Sequence, residues 1–296
     1  MHAAIKPVIA VLVFMAASLA QAQSFEEWMR GRSDMAPDLK FPAEAQTLSS
    51  SSPLEMAIYK PEGAGPFPVL FVVHSCGGLR PEIREWTTLA LAQGYVVFVM
   101  DSYSQRGLKN ACAPSTPGNN SRGTKDAFDA LEHLKKFTFV DQERIGMIGF
   151  SWGAMVGQWV SSKEVARIYS PGGKRFQAAV ALYPLCYFPA VRAFREIEFL
   201  RADTDKPLLT LMGELDNETP PSDCIPRLES LKAKGAPVEW YVFPQATHCW
   251  DCSTLDNFSK RDWKGTHIVY RYNRETTQDS AKRSFEFLAK HLKFIR

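Results

Sequence analysis

The 296-residue chain predicts an α/β protein: one mostly parallel sheet with helices on both faces. Three observations predict it. Strand-like and helix-like runs alternate from about residue 53 to the C-terminus. Runs such as Val96-Val97-Phe98-Val99-Met100 are apolar at every position, as strands covered on both sides are. An apolar content of 45% over this length is enough for one sizeable core, so a single large domain is the economical count.

In chain order, residues 1–22 carry Lys6, an apolar stretch from Pro7 to about Ala20, and then Ala20-Gln21-Ala22. This reads as a secretory leader cleaved before Gln23, which makes the mature protein secreted or periplasmic. The apolar run is short for a membrane span of about 20 residues, and no later segment is longer, so no membrane association is expected after cleavage. Residues 23–52 are polar and end in four serines, which suggests an irregular lead-in. Residues 53–296 hold the expected domain, with strands at 58–59, 67–73, 95–100, 144–149, 177–183, 207–212 and 237–243 and helices near 81–93, 123–137, 152–163, 223–234 and 278–292. The formal charge of +3, one unit of it from Lys6 of the leader, is too mild to imply a nucleic acid or membrane partner.

The motif that carries chemistry is Gly149-Phe150-Ser151-Trp152-Gly153. It joins the strand ending at Ile148 to the helix-compatible run Ala154–Val160, the arrangement of a nucleophile elbow with Ser151 as nucleophile. A serine hydroxyl needs a base, and the base needs an acid to fix its tautomer. The run 207–212 breaks at Gly213 into Glu214-Leu215-Asp216-Asn217-Glu218, where Asp216 is the preferred acid and Glu214 and Glu218 are rivals. The strand 237–243 leads to His248, the one histidine that directly follows a strand beyond the acid. The backbone amides of Trp152 and of Cys76, in the small-residue loop after strand 67–73, are the candidate oxyanion donors, with Ser75 second. Arg106 and Tyr103 in the loop after strand 95–100, and Trp250 after His248, are candidate substrate contacts. For Arg106 a structural salt bridge is the alternative, and for the aromatic stretch around Trp250 surface packing is.

All six cysteines fall in the mature chain, which suggests disulfides in an exported protein. Their positions after successive strands favour Cys76 with Cys112, Cys186 with Cys224, and Cys249 with Cys252. A zinc site lacks two matched Cys/His pairs, and a redox role for Cys249 and Cys252 lacks a surrounding thioredoxin-like unit.

Taken together, His-Ser-Cys-Gly-Gly at 74–78, Asp-Ser-Tyr-Ser-Gln-Arg-Gly at 101–107, the Ser151 motif, Leu-Met-Gly-Glu-Leu-Asp-Asn-Glu-Thr-Pro at 211–220 and Phe-Pro-Gln-Ala-Thr-His-Cys-Trp-Asp at 243–251 resemble the dienelactone hydrolase branch of the α/β-hydrolase superfamily over roughly residues 53 to 295. The resemblance implies an α/β-hydrolase fold, with Ser151, Asp216 and His248 as nucleophile, acid and base and Cys76 and Trp152 as oxyanion donors. The chain departs from the family in carrying serine where the name-giving enzymes carry a cysteine nucleophile, and Ser75 where they place a glutamate. Of their carboxylate-binding arginines only Arg106 has a loose match. Serine favours ordinary carboxylic esters over the specialised lactone chemistry. The expectation is therefore an exported serine hydrolase acting on a small ester or lactone, without metal or organic cofactor. The alternatives are a peptidase or amidase of the same fold, or a non-catalytic ligand-binding protein. The sequence is silent on oligomeric state.

Overall fold

The computed structural model describes residues 23–112, 119–190, 196–262 and 265–292; the expected leader lies outside them. The first element is a helix, α1 (Phe25–Ser33), where an irregular lead-in was expected. The Ser24 hydroxyl accepts from Glu27 N, and the Glu27 carboxylate accepts the Ser24 N–H, a capping box that pairs two donors the helix leaves open. The segment is bound to the body rather than loose. Tyr169 Oη donates to Met29 O at 2.9 Å, and Arg122 donates to the Ser33 and Ala36 carbonyls, each at 3.2 Å.

The strands are β1 (Ala45–Gln46), β2 (Ala57–Tyr59), β3 (Phe67–Val73), β4 (Val96–Met100), β5 (Val140–Phe150), β6 (Ala178–Leu182), β7 (Tyr187–Phe188), β8 (Ile197–Glu198), β9 (Leu208–Gly213), β10 (Val238–Phe243), β11 (Ser259–Arg261) and β12 (His267–Val269). Eight form the central sheet in the order β1-β2-β4-β3-β5-β6-β9-β10. Every neighbouring pair is parallel except β2 with β4. β7 pairs with β8, and β11 with β12, as small antiparallel ribbons.

The remaining helices are α2 (Pro81–Ala92), α3 (Asn120–His133), α4 (Trp152–Val160), α5 (Lys163–Tyr169), α6 (Pro221–Ala233) and α7 (Arg274–Leu292). Strand periodicity sorts the core into two layers. Val69, Phe71 and Val73 join the cluster that holds side chains of α1, α3, α4, α5 and α6, while Leu70 and Val72 join that of α2 and α7. The helix expected over 152–163 is divided. α4 ends at Val160, and Ser162 caps a new helix by accepting from Val165 N. Among the described residues no helix is long and apolar enough to cross a membrane.

Candidate active site

β5 feeds directly into α4 through Ser151, whose backbone lies at φ 49°, ψ −105°, a conformation that costs a non-glycine residue strain. The turn closes only because its flanks are glycine. A Cβ on Gly149 would stand 2.1 Å from the Gly153 carbonyl oxygen, and one on Gly153 would stand 2.4 Å from that of Val73. Ser151 N donates to Leu182 O at 2.9 Å, and Ser151 O accepts the Met155 N–H, so the strained residue is held from both sides.

Two neighbouring parallel strands deliver the partners. β9 ends at Gly213, and β10 ends at Phe243 before a bend at Gln245 with φ 59°. Glu214 N donates to Phe243 O at 3.0 Å and Leu215 N to Ala246 O at 2.9 Å, which sews the two loops together. His248 Nε2 lies 3.1 Å from Ser151 Oγ, and His248 Nδ1 lies 2.7 Å from Asp216 Oδ2. The Asp216 carboxylate also accepts Glu218 N, Thr219 N and Thr219 Oγ1 at 2.8 to 2.9 Å, so its orientation is fixed by groups other than the ring. Of the rival acids, Glu214 is exposed to solvent, and Glu218 is occupied by Lys260 Nζ at 2.8 Å and Tyr270 Oη at 2.7 Å.

Burial disfavours a charged His248 ring, but the Asp216 and Glu218 carboxylates outweigh it and hold the imidazole above its ordinary pKa. Burial likewise opposes ionisation of Glu218, yet His248 and Lys260 keep its carboxyl below the usual range. Beneath the histidine, the Tyr183 ring packs edge-on at 4.7 Å. Tyr183 Oη and Trp86 Nε1 both donate to the buried Asp251 carboxylate, at 2.9 and 2.8 Å. Sequence reasoning missed Thr219, Tyr183 and Asp251. Thr219 had a legible signal, because a hydroxyl three residues after an acid in a turn can reach back to it.

Cys76 sits in the turn after β3 that Gly78 N closes onto Ser75 O at 3.1 Å, and Trp152 is the first residue of α4, whose N–H has no partner within the helix. The three disulfides pair as expected: Cys76–Cys112, Cys186–Cys224 and Cys249–Cys252. Among the described residues one group of acidic or sulfur side chains is close enough to hold a metal, Glu82 with Cys249 and Cys252, and its two sulfurs are bonded to each other.

The expected substrate contacts need correction. Arg106 is a structural residue: it grips Asp126 with Nη1 at 2.7 Å and Nη2 at 2.9 Å and gives its remaining N–H groups to the Ser102 and Pro37 carbonyls. Its guanidinium has no donor left for a ligand. Trp250 is fully buried, donates Nε1 to Ser280 Oγ at 3.2 Å and packs against Tyr183 and Phe243, so it supports the site from below. Tyr103 is also buried, and its ring lies 5.1 Å from that of Trp152 and 4.4 Å from that of His74.

Comparison with known proteins bears on the family and the fold. The model of the dienelactone hydrolase family matches residues 54–292. The chain belongs to the dienelactone hydrolase family. As a member it is a carboxylic ester hydrolase. A protein of Escherichia coli O157:H7 named as a carboxymethylenebutenolidase is 26% identical over 195 residues, 63% of this chain and 69% of its own. Among solved structures, a dienelactone hydrolase from Klebsiella pneumoniae superposes with a TM-score of 0.61 at 20% identity, over 78% of this chain and 90% of its own. Esterase 2 of Thermogutta terrifontis in its butyrate-bound form superposes with 0.56 at 16%, over 79% and 88%. These structures share the fold of the dienelactone hydrolase family member described here.

Proposed function

We propose that this protein is an exported serine hydrolase that cleaves small carboxylic esters or lactones through an acyl-enzyme, with Ser151 as nucleophile, His248 as base and Asp216 as its orienting acid. The observation that carries the reading is the unbroken Ser151–His248–Asp216 chain at 3.1 and 2.7 Å, set on a strained elbow. His248 Nε2 takes the Ser151 proton as Oγ attacks the carbonyl carbon, and the Asp216 carboxylate offsets the charge formed on the ring. The Cys76 and Trp152 amides receive the oxyanion. His248 then gives its proton to the departing alkoxide, and the alcohol leaves. A water that loses its proton to His248 attacks the acyl-enzyme, and the acid is released as the proton returns to Ser151.

The apolar leader ending in Ala20-Gln21-Ala22 and the pairing of all six cysteines support export to an oxidising compartment. The test is hydrolysis of p-nitrophenyl esters from acetate to octanoate, beside Ser151→Ala. A loss on the order of 10⁶ in kcat is expected for the variant. Equal rates in both proteins would overturn the reading.

A further inference from the structure

His74 directly follows β3 and stands at the head of the loop that carries Cys76, with its side chain fully buried. Its Nδ1 lies 2.6 Å from Ser75 O, and its Nε2 lies 3.2 Å from Ser102 N. A backbone N–H can only donate, so Nε2 must carry the lone pair and Nδ1 the hydrogen. Burial lowers the pKa of the ring and keeps it in this neutral form. The nearest carboxylate, Asp101, is 3.9 Å from Nε2, and its Oδ1 already accepts Tyr103 N and Ser104 N. The tautomer is thus set by the fold, and Nδ1–H donates to the Ser75 carbonyl.

That carbonyl belongs to the same planar peptide as the Cys76 N–H, and in a trans peptide the two point in opposite directions. Fixing one aims the other. Gly78 N also donates to Ser75 O, at 3.1 Å, and Ala111 N donates to Cys76 O at 2.7 Å, so the peptide units on both sides of the Cys76 Cα are held. The His74 ring further stacks on Trp152, with centroids 5.3 Å apart and planes 10° from parallel. One imidazole therefore touches both elements that supply the oxyanion donors: it bonds the peptide of the first and carries the side chain of the residue that bears the second.

We propose that His74 is a positioning residue for the oxyanion hole, which through its Nδ1–H sets the Ser75–Cys76 peptide so that the Cys76 amide faces the developing charge. The proposal rests on the serine hydrolase reading and deepens it. His74 does not touch the reacting atoms, and its protonation state does not change during turnover. Its loss therefore lowers kcat through a misaimed donor and leaves substrate affinity nearly unchanged. Deleting an oxyanion donor lowers kcat by about 10²–10³-fold, and misaiming one lies at or below that range.

The experiment compares wild type, Ser151→Ala, His74→Asn, His74→Gln and His74→Phe on p-nitrophenyl butyrate, with kcat and KM separated and the thermal midpoint recorded. Asparagine places its amide N–H where Nδ1–H stands; glutamine has the same amide one methylene further out. His74→Asn is expected to keep kcat within about ten-fold of wild type, and His74→Gln and His74→Phe to lose on the order of 10²-fold with KM changed by less than about three-fold. Should His74→Phe fail to fold, the contrast between the two amide variants decides. Equal kcat in His74→Asn and His74→Gln, or a wild-type kcat in His74→Phe, overturns the proposal alone. Wild-type rates no higher than those of Ser151→Ala overturn the serine hydrolase reading and the proposal together.

Discussion

Thr219 gives its hydroxyl to the carboxylate oxygen of Asp216 that also receives the His248 ring, with Oγ1 at 2.8 Å and Nδ1 at 2.7 Å from Oδ2. A buried hydrogen bond to a charged group contributes about 1.5–3 kcal/mol. Thr219→Val keeps the shape and deletes the donor, so it should lower stability by about 2 kcal/mol and kcat by roughly ten-fold. Denaturant unfolding and steady-state kinetics measure both, and Thr219→Ser should recover most of each.

The choice of acid among three carboxylates can be read directly. Asp216→Asn should lower kcat on the order of 10⁴-fold, because the amide favours the wrong imidazole tautomer. Glu218→Gln and Glu214→Gln should keep kcat within about ten-fold. A collapse in Glu218→Gln with an active Asp216→Asn would reverse the assignment.

In the proposed mechanism His248 must be neutral to accept the serine proton, so kcat/KM should rise with pH, with its midpoint above the ordinary imidazole value of 6.5. Glu218→Gln removes one of the carboxylates that hold the ring charged and should move the midpoint down; Lys260→Met removes an opposing cation and should move it up. For stability the sign is opposite. The folded-state pKa is raised, so the contribution of His248 is full below pH 6.5 and is lost as pH rises through the folded value. A pH–rate profile for each protein checks the order of the three midpoints.

Glu82 is buried with Oε2 unpartnered among the described residues, and burial pushes its carboxyl from 4.5 up to about 7. A carboxyl with a raised folded pKa stabilises fully below its unfolded value and loses that contribution as pH rises through the folded one. Glu82→Gln mimics the protonated form at every pH. It should therefore match the wild-type thermal midpoint near pH 4.5 and exceed it by a growing margin up to about pH 7. An equal offset at every pH would point to packing instead.

Arg106 provides a test between binding and structure. Arg106→Met leaves Asp126 with Arg122 as its remaining partner and strips the Pro37 carbonyl of its donors. The expected loss is about 3 kcal/mol of stability, at the low end for a broken buried pair. KM for an ester bearing a carboxylate, relative to a neutral one, should not change.

The main features of the fold and site were legible because they are carried by order along the chain. In a parallel sheet each strand delivers its loop to the same edge, so Ser151, Asp216 and His248 converge by succession alone. The cysteine pairs followed from the same logic, since each long pair joins segments that follow neighbouring strands of the sheet. What order does not encode is the direction of a side chain. Arg106 lies on a loop near the site but turns toward Asp126 on α3, twenty residues later, and Trp250 turns into the layer beneath the sheet. The lead-in departs from expectation chiefly at its start: its polar character and serine run suggested an irregular segment throughout, although Ser24-Phe25-Glu26-Glu27 carries a readable capping box.

Two of the disulfides tie loops, and the third joins Cys186 after β6 to Cys224 in the first turn of α6. Cys76–Cys112 anchors the turn after β3 that carries the proposed oxyanion donor, and Cys249–Cys252 begins at the residue after His248. Thiol reductants should accordingly disarm the protein before they melt it, with turnover fading while near-ultraviolet circular dichroism still reports a packed interior. In a reducing cytoplasm the same chain would be a folded body with a slack edge, so under the proposed reading its hydrolytic power would develop only in an oxidising compartment.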